Sequence, residues 1–421
     1  MTQEDNQTLD DVCEFIVDCL HKTAPIQEEG YPSIRTPNVG RGRLLLAGVN
    51  RVSEAVYDEW TRRATPLPGD LIMAREAPAG NVAIIKEGQT VCLGQRTVHL
   101  RPDQTKVDPD FLCYFLLAPK QQGALLAGET GATAGHVNMR DIRRLKVGKL
   151  PEKETQKKAA KIISTYDDLI ENNQRRIALL EDAARMLYRE WFVHFRFPAH
   201  EHVKIIDGLP DGWESVPPKE FIAQHIGGGW GQDEPKGKDS EPAFVIRGTD
   251  MPLVEKGDIS TVGLRFHNLA ALSSRVLRPY DVIFEVSGGS STQPIARTLI
   301  LTPERIRQFD KAIICASFCK KFSFRSEADA VFFYYHVRVH RDRGEILVYQ
   351  KESASSLKNF NFEAFMNGYR IRLPPFSLRR LFFEAADCLI RQQAVLAAQN
   401  ELLNESRDTL LPRLMTGELA V

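Results

Sequence analysis

The chain has 421 residues, too many for one ordinary hydrophobic core, and this length points to two or three domains. Its content of 43% hydrophobic and 26% charged residues is typical of a folded globular protein. Because 55 Lys and Arg residues balance 55 Asp and Glu residues, overall charge favours no class of partner, and any nucleic-acid surface has to be local.

The seven cysteines form no CxxC pair, and an odd count without a signal peptide suits thiols in a reducing compartment. The longest apolar runs are far shorter than the ~20 residues that cross a bilayer, and the N-terminus is acidic. We therefore expect a cytoplasmic protein without a membrane partner.

Residues 1–150 contain short β-branched and aromatic runs separated by Gly, Pro and Asn, which is typical of a globular unit with little helical periodicity. Its polar clusters carry the side chains that contact bases and phosphates, since Arg can bind guanine, and Asn or Gln adenine, through two hydrogen bonds. The candidate DNA contacts here are Arg35, Thr36, Asn38, Arg41, Arg43, Arg75, Asn81, Gln95, Arg96, Thr133 and His136.

From Glu152 to Trp191 the chain has no Gly or Pro, and apolar residues recur at alternating steps of three and four. This pattern predicts a helix of roughly 60 Å with a coiled-coil seam, within a spacer segment of residues 151–197. Pairing with another helix is expected at Tyr166, Leu180 and Leu187. The end of the helix is rich in aromatic residues, and an apolar binding surface is predicted at Tyr188, Trp191, Phe192 and Phe195.

Residues 198–373 predict a second globular unit, which begins near the turn sequence GLPDGW. Like the first unit, it contains short β-branched and aromatic runs separated by turn-forming residues, and it has similar polar clusters. Its candidate DNA contacts are Arg247, Thr249, Ser287, Ser290, Gln293, Arg297, Lys320, Lys321 and Asn359.

Residues 374–421 predict a second long helix, and LPPF forms its rigid N-terminal boundary. A gapless shift of 223 residues aligns KLP before the first helix with RLP before the second. Pairing in this helix is predicted at Leu389, Leu396 and Leu403. The same shift aligns the aromatic end of the first helix with the apolar end of the second, so Leu411, Leu414 and Met415 join the predicted binding surface.

The two globular units also resemble each other. IRTPNV aligns with IRGTDM at an offset of 212 residues, and LPGDLIMAR aligns with RPYDVIFEV at an offset of 211 residues. The second alignment pairs Asp70 with Asp281. The small drift in offset is what loop insertions produce. We expect an α+β molecule with internal pseudo-twofold symmetry, made of two mixed α/β units and two long helices.

Catalytic and metal-binding motifs are missing from the sequence. It contains no GxxxxGK[ST] phosphate loop and no HExxH, and His200-Glu201-His202 has no evident third ligand. We therefore predict no catalytic or metal-ligating residue. Two alternatives stay open: a Mg²⁺-dependent nuclease that uses Asp211 and Glu234, and a coiled-coil adaptor that binds only proteins.

Four stretches resemble a known family. IENNQRRIALLEDAARMLYREWFVHFRFP with GLPDGW resembles the central conserved region of specificity subunits of type I restriction-modification systems, and NESRDTLLPRLMTGEL resembles their distal conserved region. GDLIMAREAPAGNVAII and LGQRTVHLRP resemble the first target-recognition domain of that family. The second unit departs more from the family pattern, which leaves its individual contacts less defined.

The resemblance implies two target-recognition domains separated by antiparallel coiled-coil helices, each domain recognising one half of a split, asymmetric site in double-stranded DNA. The implied partners are two modification subunits, which methylate adenine with S-adenosylmethionine, and a restriction subunit, which uses ATP and Mg²⁺. This chain would be non-catalytic and bind none of these cofactors. Its apolar helix ends would dock the methyltransferase subunits, in a system of phage defence.

Overall fold

The computed structural model describes residues 6–127, 136–288, 294–352, 358–419 and 421. The chain divides into two compact units: unit 1 comprises Met1–Ile170 with Leu403–Val421, and unit 2 comprises Glu171–Leu402. Each long helix is therefore divided between the units, because each half of it packs into the core of one unit.

Unit 1 is a mixed α/β unit. Its strands are β1 (Cys13–Asp18), β2 (Tyr31–Ile34), β3 (Gly42–Arg43), β4 (Arg51–Val52), β5 (Leu71–Ala74), β6 (Val82–Ile84), β7 (Cys92–Leu93) and β8 (Thr97–Pro102). Its helices are α1 (Glu54–Thr61), α2 (Pro109–Leu117), α3 (Pro119–Leu126), α4 (Met139–Arg144) and the first part of α5 (Lys153–Tyr188). The strands form one sheet in the order β1-β8-β5-β6-β3 and another in the order β4-β2-β7.

The local sequence explains where α2 begins. Asp108 precedes α2, where its side chain accepts the amide of Phe111 at 3.0 Å and Pro109 takes the first helical position. The apolar face of α2 is buried with the inward-facing residues of β5 and β8, and with Ala159 and Ile163 of α5. The core of unit 1 thus joins the sheet to the long helix.

Unit 2 is also mixed α/β. Its strands are β9 (Ile205–Ile206), β10 (Leu209–Pro210), β11 (Glu214–Val216), β12 (Gln224–Gly227), β13 (Asp239–Ile246), β14 (Gly263–Asn268), β15 (Val282–Glu285), β16 (Ser287–Gly288), β17 (Thr298–Ile300), β18 (Ala312–Cys315), β19 (Cys319–Ser323), β20 (Gln350–Glu352), β21 (Lys358–Phe360) and β22 (Ile371–Leu373). Its helices are α6 (Pro218–Phe221), α7 (Met251–Glu255), α8 (Leu269–Arg275), α9 (Pro303–Ile306), α10 (Glu327–Asp342), α11 (Phe362–Gly368) and α12 (Phe376–Met415), whose last turns belong to unit 1.

Two sheets of unit 2 have the same strand order as the sheets of unit 1. The order β12-β19-β15-β17 corresponds to β1-β8-β5-β6, and β14-β13-β18 corresponds to β4-β2-β7. The strand directions also agree: β2 pairs antiparallel with β4 and parallel with β7, as β13 does with β14 and β18. Smaller sheets, β16-β21-β20, β11-β22 and β10-β9, complete unit 2.

The prediction of a long helix after residue 151 is confirmed. α5 runs from Lys153 to Tyr188 and continues as a π-helical turn over Arg189–Val193. α12 begins at Phe376, directly after the two prolines of LPPF. In the described part of the chain, no helix combines the length and the apolar character that crossing a membrane requires.

At most of the predicted pairing positions, the long helices are only partly buried. In α5 the side chains of Ile163, Ile170 and Ala184 are buried, whereas the predicted pairing residues Tyr166, Leu180 and Leu187 are only partly buried. In α12, Leu396 is buried as predicted, but Leu389 and Leu403 are partly buried, and Ile390 and Asn400 are buried instead. Apolar residues occur at adjacent positions, such as Leu169 and Ile170 in α5 and Leu389 and Ile390 in α12, so periodicity alone did not determine which face is buried.

Candidate nucleic-acid interface

In unit 1 a charged network lies where β5 ends and β8 begins. Arg75 donates to Nε2 of His136 at 2.7 Å and to Asp18 at 2.7 Å, and Nδ1 of His136 bonds Glu76 at 2.8 Å. Glu76 also pairs with Arg96, with 3.0 Å between the atoms. The fold therefore brings together residues from three predicted clusters that are distant in sequence.

The exposed members of this surface are the ones able to contact a ligand. The Arg96 side chain is 61% exposed and has a positive φ of 64°, and Arg35 is exposed as well. Arg35 lies beside the Gly94 turn that leads into Gln95 and Arg96, where a Cβ on Gly94 would stand 3.2 Å from Cγ of Arg35. Arg35, Gln95, Arg96 and His136 thus form the candidate interface of unit 1.

Other predicted contacts of unit 1 stabilise the fold instead. Arg75 is buried in the network above, and Thr36 is buried. Asn38 accepts the amide of Arg35 at 3.1 Å and donates to Leu45, and Asn81 donates to the carbonyl of Val39 at 3.0 Å. These side chains are buried or bonded within unit 1, and their contact with DNA stays a prediction.

Arg41 and Arg43 also bind within unit 1. Arg41 donates to the carbonyl of Leu117 at 3.0 Å, at the end of α2. Arg43 lies 3.9 Å from Asp167 of α5, a buried carboxylate that also accepts Tyr114 at 2.8 Å and Arg407 of α12 at 2.9 Å. These contacts join both arginines to helices of unit 1, and their contact with DNA stays a prediction.

Unit 2 has a matching surface at the corresponding strand ends. The amide of Gly94 donates to Ile34 at 2.8 Å in unit 1, as the amide of Ala316 does to Ile246 at 2.9 Å in unit 2. The bond from Arg75 to the carbonyl of Arg96, 2.9 Å, has its counterpart between Val286 and the carbonyl of Phe318, also 2.9 Å.

These backbone bonds pair individual positions of the two units. Arg35 corresponds to Arg247 and Arg96 corresponds to Phe318. Arg96 and Phe318 thus occupy equivalent positions with unlike side chains. Neither Phe318 nor the neighbouring Trp230 was among the residues predicted to contact DNA. The available signals were the GGGWG run around Trp230 and the offset of 222 between β8 and β19.

Several predicted contacts of unit 2 are structural. Arg297 binds Glu285 through Nε at 2.9 Å and Nη2 at 2.6 Å, which raises the pKa of the guanidinium. Lys321 is 9% exposed, pairs with Asp281 at 3.2 Å and donates to the carbonyl of Val276. Each cation is paired with an internal carboxylate, which disfavours a contact with DNA for both residues.

The remaining candidates of unit 2 differ in accessibility. Arg247 binds Asp250 with three of its nitrogen atoms, although its side chain stays 44% exposed. Thr249 is exposed, Ser287 and Asn359 bond each other at 2.6 Å, and Lys320 lies over the ring of Phe362 at 4.4 Å. The predicted contacts Thr133, Ser290 and Gln293 lie outside the described residues.

The aspartates that the repeat aligns occupy the same position in the two units. Asp70 accepts the amide of Leu67 at 2.8 Å and binds His99 and Arg101, while Asp281 accepts the amide of Arg278 at 2.7 Å. Burial acts to raise the pKa of Asp70, but the bonds from Arg101 and His99 outweigh it and lower that pKa. A buried anion therefore fixes the turn before the central strand of each sheet.

The aromatic residues at the end of α5 fill the core of unit 2. Tyr188 and Phe192 are buried, and the ring of Phe192 lies 5.0 Å from that of Phe382 and 6.0 Å from that of Trp213. Trp191 and Phe195 are partly buried in the same cluster. A docking surface made of Tyr188 and Phe192 is therefore ruled out, because these rings pack against their own chain.

The apolar end of α12 is likewise internal. Leu411, Leu414 and Met415 are buried in the core of unit 1 together with Ile163. The prediction that these side chains form a partner surface is corrected for the same reason as for the aromatic residues.

The structure adds no support for the nuclease alternative. Asp211 follows the small β9-β10 hairpin, whereas Glu234 is exposed in the loop between β12 and β13, so no shared sheet holds the two carboxylates together. His200 and His202 lie in an exposed turn, and His200 bonds the carbonyl of Phe197 at 2.9 Å. Among the described residues no group of three or more His, Cys, Asp or Glu side chains is suited to a metal ion.

Comparisons with known proteins agree with the resemblance drawn from the motifs. Residues 4–182 match the family model described as type I restriction modification DNA specificity domain. The chain is 25% identical over 389 residues to the type I restriction enzyme MjaIX specificity subunit of Methanocaldococcus jannaschii, an alignment that covers 90% of this chain and 83% of the relative. It is 31% identical over 98 residues to the HindI specificity subunit of Haemophilus influenzae, which covers 23% and 21%.

A solved structure has the same fold. The crystal structure of the S subunit of a type I restriction-modification system from M. genitalium aligns with a TM-score of 0.56 at 15% identity, covering 97% of this chain and 95% of that one. In sequence, the chain is similar to type I restriction enzyme specificity subunits, as its motifs predicted.

Proposed function

We propose that this chain is the DNA-specificity subunit of a type I restriction-modification complex, and that each unit recognises one half of a bipartite, asymmetric site. The observation that carries the proposal is the shared strand order of the two units, with recognition candidates on equivalent loops: Arg35 and Arg96 in unit 1, Arg247 and Phe318 in unit 2. Two similar units with different side chains at one position suit a site with two different halves.

The chemistry of the complex belongs, in this proposal, to its partners. Two modification subunits would use S-adenosylmethionine to methylate adenine, and a restriction subunit would use ATP and Mg²⁺. Action in the cytoplasm is part of the proposal and is supported by seven cysteine thiols, of which all but Cys388 are buried.

The test is DNA binding by the complex assembled with its modification subunits. The target is identified from the modified adenines in the genome of a host that carries the whole system. We expect the complex to prefer a duplex with this site over a scrambled duplex by roughly 10³-fold or more. Equal binding to both duplexes, or methyl transfer by the purified chain alone, would contradict the proposal.

The two long helices are proposed to form an antiparallel coiled coil that sets the spacing of the half-sites. Within unit 2, Asn173 bonds Asn400 at 3.0 Å, while further along α5 Tyr188 packs against Phe382, so the contacts run in opposite order on the two helices. Half-sites on one face of DNA lie about 34 Å apart per helical turn, a distance that long helices can span.

An apolar stripe on α12 is the best-supported docking surface for a modification subunit. Leu381, Cys388, Val395 and Leu402 recur every seven residues, and all four side chains are exposed. A heptad stripe is what a partner helix covers in a coiled coil, and a monomer rarely leaves such a row in water. We propose that this α12 stripe, rather than the buried aromatic residues, contacts the modification subunit.

Cys388 makes this proposal directly testable, because the other six cysteines are buried. A maleimide should label Cys388 rapidly in the chain alone and slowly in the complex. Leu402→Asp should abolish co-purification of the modification subunit while both units stay folded, and Val348→Asp, at an exposed position off the stripe, should not. Unchanged labelling in the complex would exclude the stripe as the contact.

A further inference from the structure

The GGGWG loop of unit 2 holds a tryptophan outside the core. A Cβ on Gly228 would lie 2.1 Å from the carbonyl oxygen of Ala316, and Gly231 has a positive φ of 74° with the His267 ring 2.6 Å from its Cβ position. Only glycine permits this close approach of loop and strand. The loop continues β12, and it leaves Trp230 43% exposed beside the end of β18.

Trp230 and Phe318 border a cavity of about 480 Å³ on the candidate interface of unit 2. Phe318 is 52% exposed, and Thr249 and Ala316 add methyl groups to the lining. The cavity also contains Glu285, but this carboxylate is 2% exposed and bound by Arg297. Arg247, Ser287 and Ser317 also line the cavity, and the exposed surface of the described lining is mainly apolar.

The same position in unit 1 has the opposite chemistry. Arg96, which corresponds to Phe318, presents a guanidinium, and Gln95, which corresponds to Ser317, presents an amide. A guanidinium suits guanine, which offers two acceptors in the major groove. The mainly apolar part of the cavity, at Trp230 and Phe318, suits an apolar group of a base edge rather than its hydrogen-bonding groups.

We propose that this cavity binds the 5-methyl edge of a thymine and that Trp230 and Phe318 are specificity-determining residues of unit 2. The inference rests on the proposed function, since it requires this face to meet DNA. The thymine methyl is the apolar group that the major groove offers, and Phe, Ala and the Thr methyl are side chains that contact it. The cavity is large enough to take the edge of the base together with its methyl group.

The test replaces thymine by uracil, which removes only the methyl group. The half-site of unit 2 is identified first, as the half that Arg96→Ala leaves unaffected. Each thymine of this half-site is then replaced in turn, and binding by the assembled complex is measured. At one position we expect about four- to tenfold weaker binding, the effect of removing one buried methyl contact.

Protein variants connect this effect to the cavity. In Trp230→Ala and Phe318→Ala the affinity for thymine DNA should fall, and uracil at the sensitive position should weaken binding no further. The reason is that loss of the aromatic side chain and loss of the thymine methyl group remove the same contact. Phe318→Leu should keep part of the uracil effect. Val348→Ala removes an exposed apolar side chain elsewhere in unit 2 and should leave the whole effect.

The outcomes separate this inference from the proposed function. If no uracil substitution weakens binding, or if the effect persists in both alanine variants, the inference is overturned, while site preference of the wild-type complex still supports the proposed function. Loss of the modification subunit from Trp230→Ala would also overturn it, because the cavity would then contact protein. A wild-type complex without site preference contradicts both.

Discussion

Two adjacent lysines on the same strand, Lys320 and Lys321, differ in how deeply their side chains are buried. Lys321 pairs with Asp281 inside unit 2, whereas Lys320 lies on the surface over Phe362. Lys321→Ala would leave a buried carboxylate without its cation, and removal of one partner of such a pair costs about 3–5 kcal/mol. Sequence cannot distinguish the two, because Asp281 is 40 residues away along the chain.

Denaturant unfolding tests this difference. Lys321→Ala should lower the free energy of unfolding by about 3–5 kcal/mol, and Lys320→Ala, the matched control, by less than about 1 kcal/mol. Equal effects of the two substitutions would show that Lys321 is not a structural cation.

A buried histidine makes the stability of unit 2 depend on pH. His336 bonds the hydroxyls of Tyr188 at 2.7 Å and Tyr369 at 3.0 Å. Burial, reinforced by His340 and Arg372, holds the pKa of His336 well below its ordinary value of about 6.5. Below about pH 6.5 the His336 side chain of the unfolded chain binds a proton that the folded chain does not bind. The stability that neutral His336 contributes to the fold is therefore complete above about pH 6.5 and is lost as pH falls.

Thermal unfolding at pH 7.5 and 5.5 checks the direction. The wild-type chain should have the lower Tm at pH 5.5. His336→Gln should be less stable at pH 7.5 but should lose less on acidification, and part of the dependence should remain because burial also lowers the pKa of His340. An unchanged difference between the two pH values in His336→Gln would exclude His336 as a source.

At the scale of elements, a buried polar pair lies where α5 meets α12 in unit 2. Nδ2 of Asn173 donates to Oδ1 of Asn400, and both side chains are buried. A buried polar pair of this kind selects the register of paired helices at a cost in stability. The sequence pattern did not predict this pairing, because it does not show which residues of the two helices meet.

Substitutions at this pair should be non-additive. Asn173→Leu and Asn400→Leu each remove the hydrogen bond and should each cost about 1 kcal/mol, whereas the two combined replace both amides by apolar groups and should restore or exceed wild-type stability. Urea unfolding of the single and double variants measures the coupling. A double variant whose loss equals the sum of the single losses would show that the two amides do not interact.

The long helices also show why amphipathic pattern and contact register are different properties. Apolar residues at steps of three and four were enough to predict α5 and α12. The neighbouring positions Ala183 and Ala184 are both compatible with such a seam, yet only Ala184 is buried. The choice between them depends on Tyr188, which packs against α10 and α12 and so fixes the rotation of α5.

At the scale of the whole molecule, the proposed function predicts that the two units act on separate half-sites. Arg96→Ala should weaken binding about tenfold to a hundredfold for the native site and relax preference at one base pair of one half-site. The other half-site should keep its preference. Binding to duplexes that carry single substitutions along both half-sites measures this.

The control for Arg96→Ala is Arg62→Ala, which removes an exposed arginine of unit 1 at the end of α1, outside the candidate interface. It should leave both half-sites unaffected. If Arg96→Ala weakened binding equally on every sequence, Arg96 would be a phosphate contact rather than a base contact.

The sequence by itself predicted the two long helices, a similarity between the two globular units and the resemblance to type I specificity subunits. Periodicity, turn residues and recurring motifs are local or pairwise properties of the chain, so they can be identified without coordinates. They also placed Arg35, Gln95, Arg96 and His136 among the candidates, which the fold then brought to one surface.

Only the tertiary structure decided which cations stay exposed, which face of each helix is buried, and where an apolar cavity lies. Arg43 is committed to Asp167 of α5, Arg297 to Glu285, and the aromatic end of α5 to the core of unit 2. Each outcome depends on a partner that is far away in sequence, and composition does not indicate which partner the fold supplies. The correspondence of Arg96 with Phe318 became visible for the same reason, through backbone bonds between distant strands.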